Sequence, residues 1–118
     1  MATTTTLLDC CTPLATSTLS LEQATELEQL FGALADRHRL RILNLLIEAD
    51  GEAVCVCEFT ASLELPQPNV SYHLKQLTDA GLLVRERRAR FVYYAIAPRA
   101  LERLGALIDL SAAPGVPA

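Results

Sequence analysis

The sequence predicts a mainly α-helical domain that carries one small β-hairpin. Two observations predict this fold class: apolar residues recur at helical spacing between residues 20 and 80, and the spacing changes to every second residue after Gly81. The chain has 118 residues, the size of one ordinary domain. Hydrophobic residues make up 51% of it and charged residues 20%, which excludes a disordered protein and leaves apolar surface to bury against a partner subunit.

The first 19 residues are predicted to form a flexible arm that carries Cys10 and Cys11. They contain no Lys or Arg and no apolar block, so we expect neither a secretory signal nor a transit peptide. No segment approaches the roughly 18 consecutive apolar residues of a membrane helix. We therefore expect a soluble, cytoplasmic protein whose four cysteines are metal ligands or redox groups rather than structural disulfides.

Two amphipathic helices are predicted after the arm. The first begins at Ser20, a residue type that caps helices well, and the second begins after Asp36 for the same reason. The second helix has little polar face, which places it in the centre of the core, and Gly51 follows its end. The apolar residues of the two helices are Leu27, Leu30, Phe31 and Leu34 in the first, and Leu40, Ile42, Leu43, Leu45, Leu46 and Ile47 in the second.

A helix-turn-helix unit is predicted next. A short helix fits residues 53–63, and a second helix begins near Pro68, whose missing N–H is tolerated in a first turn. The second helix ends at Gly81 and buries Val70, Leu74 and Leu77. Such a unit places its second helix in the major groove of DNA.

The remaining residues predict a wing and a last helix. Strand-like segments at 82–86 and 91–96 are joined by Arg87-Arg88-Ala89-Arg90, although this tip lacks the Asn-Gly signal of a tight hairpin turn. Pro98 begins a last helix, and residues 111–118 are predicted to be a flexible tail. Residues 20–110 are therefore predicted to form one winged helix-turn-helix domain. The apolar face of its last helix comprises Leu101, Leu104, Leu107 and Ile108.

The charge is divided along the chain in a way that suits a DNA-binding protein. The net charge is −4, but residues 1–65 hold three basic and ten acidic residues, whereas residues 66–103 hold seven basic and three acidic ones. Positive charge is thus concentrated in the wing and in the second helix of the helix-turn-helix unit, here called the reading helix. These are the parts of such a protein that contact the phosphate backbone of DNA.

Side chains on the outer face of the reading helix and at the wing tip are the predicted DNA contacts. Asn and Gln can pair with adenine, Ser and Tyr can bond bases or phosphates, and Lys can meet phosphate or guanine. The wing arginines are expected to contact the DNA backbone or the minor groove. His73 lies beside the buried stripe and is expected to be packed and hydrogen-bonded rather than a ligand. The predicted DNA-binding residues are Gln67, Asn69, Ser71, Tyr72, Lys75, Arg87, Arg88 and Arg90.

Two segments carry a family resemblance. Residues 66–77, followed by Ala80-Gly81-Leu82-Leu83 and Val92-Tyr93-Tyr94, resemble the recognition helix and wing of the ArsR/SmtB family of metal-responsive repressors, and residues 31–42 resemble that family's start. The resemblance implies a repressor that dimerises through its first and last helices. It also implies that the dimer binds an operator near a metal-resistance gene and leaves when the ion binds. The sequence has neither a Gly-rich phosphate loop nor paired catalytic carboxylates, so it does not indicate an enzyme. Its Cys-Val-Cys segment also differs from the usual Cys-x-x-Cys motif of a thiol reductase.

The segment Val54-Cys55-Val56-Cys57-Glu58-Phe59 is similar to the family's thiol motif. The resemblance associates this motif with arsenite or antimonite and, where N-terminal cysteines are added, with cadmium and lead. Thiolates suit such soft ions. Where the arsenite pattern has a third cysteine, this chain has Thr60, so the arm must complete a three-sulfur set.

Helical spacing then narrows the predicted ligand set. Residues i and i+2 differ by about 200° on a regular helix, so Cys55 and Cys57 would point to opposite sides. The predicted site is therefore Cys10, Cys11 and Cys55 with As(III) or Sb(III), while Cys57 is expected to be partly buried and is kept as a further candidate. The arm can extend to about 30 Å, enough to reach Cys55 of either subunit.

Two alternatives stay open at this point. One is a four-cysteine site for Cd(II) or Pb(II), and the other is a thiol redox switch. A zinc site on the last helix is not expected, because residues 98–118 contain no His.

Overall fold

The computed structural model describes residues 18–107, in which five helices and three short strands follow one another. The predicted tail and nearly all of the predicted arm, with Cys10 and Cys11, lie outside these residues. The elements are α1 (Leu21–Leu34), α2 (Arg37–Glu48), β1 (Val54–Cys55), α3 (Val56–Leu63), α4 (Gln67–Asp79), β2 (Leu83–Arg88), β3 (Phe91–Ile96) and α5 (Ala100–Leu107).

Local capping sets the starts of the first two helices, as predicted. Ser20 Oγ accepts from the Gln23 N–H at 3.0 Å, and Gln23 Oε1 accepts from the Ser20 N–H at 3.0 Å. Asp36 Oδ1 accepts from the backbone N–H groups of His38 and Arg39 at 2.8 and 3.2 Å. Each cap satisfies N–H groups that a helix start leaves unpaired and contributes about 1 kcal/mol.

One hydrophobic core joins the helices to the sheet. The predicted stripe of α4 lies at its centre, since Val70, Leu74 and Leu77 are fully buried. Helix α4 ends at Asp79 and is followed by Gly81, which has a φ of +85°. The Leu82 N–H donates back to the Leu77 carbonyl at 3.1 Å. The other fully buried large side chains are Leu30, Ile42, Leu46, Phe59, Leu82 and Leu107.

The expectation that α2 lies in the centre of the core is wrong for one of its faces. Ile42, Leu43 and Leu46 are buried, but Leu40 is 53% exposed and Ile47 51% exposed. These two residues are seven positions apart, so they share the side of α2 that faces away from the core. Helix α2 therefore packs on one side only within a single chain.

The sheet has three antiparallel strands, in the order β1-β3-β2, rather than the two strands of the predicted hairpin. Val54 pairs with Tyr94, and Cys55 pairs with Tyr93. The predicted helix over residues 53–63 is therefore wrong at its start, because Cys55 has extended backbone and α3 begins after it. The reason is long-range: the free edge of β3 offers hydrogen bonds that a helical first turn at residues 53–55 would forgo.

The hairpin is also tighter than predicted. Strand β2 continues to Arg88, so Arg87 and Arg88 lie in the strand, and Arg88 pairs with Phe91. Only Ala89 and Arg90 form the turn, with Ala89 at a φ of +56°. A left-handed conformation costs a non-glycine residue about 1–2 kcal/mol. The cross-strand pairing holds Ala89 in this conformation.

Candidate functional site

Helix α4 presents one face to the core and the opposite face to solvent. Pro66 precedes it, and Pro68 stands in its first turn, where no N–H partner is needed. The buried stripe fixes the rotation of α4 about its axis, so the predicted DNA contacts lie on the other faces of the helix. Of these, Gln67, Asn69, Tyr72 and Lys75 are exposed, and Ser71 is half-buried.

Lys75 is engaged with a neighbour on its own helix. Its Nζ lies 2.9 Å from Asp79 Oδ2, one turn further on, and both side chains are largely exposed. The hydrogen bond from Lys75 to Asp79 raises the pKa of Lys75. An exposed pair of this kind stabilises the helix by only about 0.3–0.5 kcal/mol. A phosphate can therefore replace Asp79 as the partner of Lys75 at little cost.

The three predicted wing arginines differ in their surroundings. Arg88 donates from Nε and Nη2 to the Glu86 carboxylate at 3.0 and 3.1 Å, and its guanidinium lies 4.5 Å from the centre of the Tyr93 ring. Arg87 donates from Nε to the Ala89 carbonyl at 3.4 Å, and Arg90 is exposed at the turn. Arg88 is thus held by its own strands, whereas Arg87 and Arg90 are more available to an outside partner.

A groove of about 910 Å³ lies between α4, the start of α3 and the hairpin. Gln67, Ser71 and Lys75 line its α4 side, and Arg85 and Arg90 line its hairpin side. Sequence reasoning missed Arg85. Its signal was the two-residue period of β2, which puts Arg85 on the same strand face as Arg87.

Cys55 and Cys57, the two cysteines of the thiol motif, also line this groove. Cys55 is the N-cap of α3, and its Sγ accepts from the Cys57 N–H at 3.4 Å. The Cys57 thiol in turn donates to Cys55 Sγ, and the two sulfur atoms are 2.7 Å apart. We call these two residues the thiol pair.

The thiol pair corrects two expectations. The inference that Cys55 and Cys57 point to opposite sides is wrong, because Cys55 lies before the helix and not in it. The expected burial is also reversed: Cys55 is buried at 8% exposure, whereas Cys57 is exposed. A ligand that enters from solvent therefore meets Cys57 first.

The pKa of the Cys57 thiol is raised, chiefly by its hydrogen bond to Cys55, with further contributions from desolvation and from Cys55 and Glu58 as neighbours. Cys57 is therefore protonated at neutral pH, and a metal ligand must displace its proton. Thr60, at the position of the missing third cysteine, donates its hydroxyl to the Cys57 carbonyl at 2.8 Å.

No third ligand stands ready beside the thiol pair in the part of the chain that the structure describes. Among residues 18–107, no group of three or more His, Cys, Asp or Glu side chains is arranged to hold a metal ion. Cys10 and Cys11, the predicted partners of Cys55, lie outside these residues. The structure thus brings together two of the four candidate cysteines.

A cluster of polar side chains, Asp36, His38 and His73, lies between the start of α2 and the reading helix, α4. His73, on the buried side of α4, packs its ring 5.6 Å from that of His38, and its Nδ1 lies 3.9 Å from Asp36 Oδ1. His73 is packed, as predicted, but its buried Nδ1 has no hydrogen-bond partner among residues 18–107, so that part of the expectation is wrong. Burial lowers the pKa of His73, against the opposing effect of the Asp36 carboxylate.

The chain is similar to known bacterial regulatory proteins. The family described as "Bacterial regulatory protein, arsR family" matches residues 36–84. The arsenic resistance transcriptional regulator of Pseudomonas putida is 45% identical over 78 residues, which cover 66% of this chain and 59% of that protein. The arsenical resistance operon repressor of Escherichia coli is 40% identical over 81 residues, which cover 69% of this chain and 68% of that protein.

A solved structure shows the same architecture. The homodimeric winged helix-turn-helix DNA-binding domain of a possible ArsR-family regulator from Mycobacterium bovis is 26% identical, with a TM-score of 0.61. The match covers 75% of this chain and 82% of that one. The fold and these relatives define the winged helix-turn-helix class of bacterial regulatory proteins. The chain belongs to the arsR family of bacterial regulatory proteins. Residues 18–107 contain no helix with the length and hydropathy of a membrane span.

Acidification is expected to destabilise the fold through His73. Because burial lowers the pKa of folded His73, the unfolded chain binds a proton that the folded chain does not. Stability is therefore full above the ordinary histidine pKa of 6.5 and is lost as the pH falls from there through the lower folded value. Urea unfolding at fixed protein concentration, at about pH 7.5 and about pH 5.5, measures the loss.

The matched variants for this prediction are His73→Gln and His38→Gln. His73→Gln is expected to lose less stability between the two pH values than the unchanged protein. His38→Gln removes only a minor cause of the lowered His73 pKa and is expected to keep most of the loss. An equal pH dependence in His73→Gln and in the unchanged protein would show that another group is responsible.

Proposed function

We propose that this protein is a metalloid-responsive transcriptional repressor. As a homodimer it binds operator DNA, and it leaves the DNA when As(III) or Sb(III) binds cysteine thiolates. The observation that carries the proposal is the thiol pair, whose sulfur atoms are 2.7 Å apart in the groove that also borders α4. The arsenical-resistance regulators among the relatives support the same ligand class.

The thiol pair suits a soft, three-coordinate metalloid. Thiolates select soft ions, and two sulfurs bound to one ion by bonds of about 2.3 Å lie no more than about 4.6 Å apart. The Cys55 and Cys57 sulfurs meet that limit. Arsenous acid, As(OH)₃, condenses with three thiols and releases three water molecules, so one more sulfur is needed. We propose that Cys10 or Cys11 supplies it.

This ligand set differs from the one that helical spacing favoured. The competing set is Cys10, Cys11 and Cys55, in which Cys57 is not a ligand. Cys57 is a ligand in the proposed set and is not a ligand in the competing set, whereas Cys55 is a ligand in both. The short distance between the Cys55 and Cys57 sulfurs favours the set that uses both.

The proposed DNA interface is the exposed face of α4 together with the wing. Gln67, Asn69, Ser71 and Tyr72 are suited to base edges or nearby phosphates. Positive charge beside them favours binding to the phosphate backbone. In a two-fold dimer the two α4 helices meet half-sites about 34 Å apart, one turn of the duplex. The positive side chains are Lys75, Arg87, Arg88 and Arg90.

Apolar side chains at the two ends of the described chain support a homodimer. Leu21, in α1, is 83% exposed, and Leu101, in α5, is 38% exposed. Fully burying a leucine side chain is worth about 1.5–3 kcal/mol, so a second copy that covers these helices gains stability. The Mycobacterium bovis domain is itself described as homodimeric.

The proposed switch begins at α3. This helix is eight residues long and leads into α4 through a short turn in which Glu64 has a left-handed backbone. Drawing the arm onto the thiol pair shifts α3 and, with it, α4, which changes the spacing of the two reading helices. A coupling free energy of about 1–3 kcal/mol lowers operator affinity by 5- to 150-fold.

Serine substitutions separate the two ligand sets. Cys57→Ser is expected to weaken arsenite-driven operator release about tenfold or more, the effect of losing roughly 1.4 kcal/mol of binding free energy. Cys55→Ser is expected to weaken release as strongly, while its hydroxyl keeps the α3 cap. Fluorescence anisotropy of labelled operator DNA, titrated with arsenite, measures both effects.

Thr60→Ser is the matched control, because it changes the same helix and keeps a hydroxyl for the Cys57 carbonyl. It should release DNA normally. Full release by Cys57→Ser would support the competing set of Cys10, Cys11 and Cys55. Full release by Cys55→Ser would exclude both sets, and an unchanged protein that binds no operator would refute the DNA-binding proposal.

Proton release distinguishes a metalloid from a divalent cation. Arsenous acid is neutral, and each of its As–S bonds forms with loss of water, so its binding sends no protons to solvent. Cd(II) or Pb(II) must displace a proton from each neutral thiol, and the raised pKa of Cys57 keeps that thiol protonated at pH 7. In weakly buffered solution with a pH indicator, we expect no proton release on saturation with arsenite.

Cadmium is the positive control in that experiment and should release about one proton per thiol that binds. Protons released by arsenite would contradict the condensation of arsenous acid with neutral thiols. Operator release by peroxide alone, reversed by a thiol reductant, would favour the redox alternative.

A further inference from the structure

The strand pairing places the thiol pair in line with the wing. Cys55 lies opposite Tyr93 across β1 and β3, and Tyr93 lies opposite Glu86 across β3 and β2. Residues directly opposite one another in a sheet project to the same face. Cys55, Tyr93 and Glu86 therefore form one row across all three strands, which we call the cross-strand row.

Arg88 is bound to the far end of this row. It stands two residues after Glu86 in β2, so it shares that strand face. Its guanidinium makes two hydrogen bonds to Glu86, at 3.0 and 3.1 Å, and lies 4.5 Å from the centre of the Tyr93 ring. The same two residues that continue the row from Cys55 thus set the orientation of one wing arginine.

The other end of the cross-strand row is Cys55, which belongs to the proposed ligand site. A surface hollow of about 350 Å³ is lined by Cys55 and Cys57 on one side and by Phe91 and Tyr93 on the other. Ion binding must change this wall. An ion bound by both sulfurs replaces the hydrogen bond that joins the Cys57 thiol to Cys55 Sγ, so the two side chains must rearrange.

Cys55 has little room to move alone. It is buried, its backbone is paired with β3, and its sulfur caps α3. A displacement of Cys55 is therefore passed to its neighbours, one of which is Tyr93. The Arg88 contacts are the ones that yield, because Arg88 and Glu86 have side chains 52% and 55% exposed and such pairs are weak.

We propose that Tyr93 is a positioning residue that carries ligand occupancy from the thiol pair to Arg88 in the wing. This inference rests on the proposed function and adds to it a second route, through the sheet, beside the route through α3. With the Tyr93 ring in place, Arg88 is oriented for the DNA backbone. When the thiol pair binds an ion, the ring shifts and the orientation of Arg88 is lost.

The experiment compares Tyr93→Leu with Tyr93→Phe. Leucine removes the aromatic ring beneath Arg88, whereas phenylalanine keeps it, so it is the matched control. The quantity measured is the ratio of operator Kd with saturating arsenite to operator Kd without it. We expect Tyr93→Phe to keep the ratio of the unchanged protein within about twofold and Tyr93→Leu to lower it about fivefold, a change within the usual range of allosteric coupling.

A further readout, the operator Kd ratio of Arg88→Ala alone, does not depend on the folding of Tyr93→Leu. Arg88→Ala removes an exposed side chain, so the fold should persist. It should weaken operator binding and lower the same ratio, with no further drop when combined with Tyr93→Leu. The Nε–H nuclear magnetic resonance signal of Arg88, without arsenite, should be alike in the unchanged protein and Tyr93→Phe and shifted in Tyr93→Leu.

The possible failures are distinguishable. If the unchanged protein does not release DNA with arsenite, the proposed function fails. If it does, and both Tyr93→Leu and Arg88→Ala keep the full ratio, the sheet route is overturned while the proposed function stands. An equal loss in Tyr93→Phe and Tyr93→Leu would also overturn it, because the ring would not be the part that matters.

Discussion

The backbone conformation of Cys55 is the constraint on which the proposed site depends. Cys55 ends β1, where it pairs with Tyr93, and it also caps the first turn of α3 with its sulfur. One residue therefore joins the sheet to the first helix of the helix-turn-helix. Because Cys57 is in that first turn, its sulfur comes to lie beside that of Cys55. A regular helix through both residues would have pointed the two thiols apart.

The DNA-facing side chains are held by much weaker contacts than the helix that presents them. The buried stripe of α4 fixes the reading helix in the core. On its exposed side, by contrast, Lys75 is held by Asp79 and, in the wing, Arg88 is held by Glu86, in pairs that are all more than half exposed. Such pairs are worth about 0–1 kcal/mol. Modest movements near the thiol pair can therefore change DNA contacts without unfolding the domain.

Local patterns predicted most of the helical fold, because the forces involved act over a few residues. Ser20, Asp36 and Gly81 cap or end their helices where the sequence placed them. Strand β1 could not be predicted in this way, since its two residues, Val54 and Cys55, become a strand only by pairing with β3, about 40 residues further along. The predicted site was wrong for the same reason. Because α3 begins after Cys55, the burial and direction of both thiols differ from those predicted for a helix that contains both cysteines.

The sulfur coordination of bound arsenic tests the central claim most directly. X-ray absorption at the arsenic edge counts the sulfur atoms around the metalloid, in the unchanged protein and in the Cys10→Ser/Cys11→Ser variant. The account predicts three sulfurs in the first and two sulfurs with one oxygen in the second, because Cys55 and Cys57 remain. One sulfur in the variant, or no bound arsenic in the unchanged protein, would contradict it.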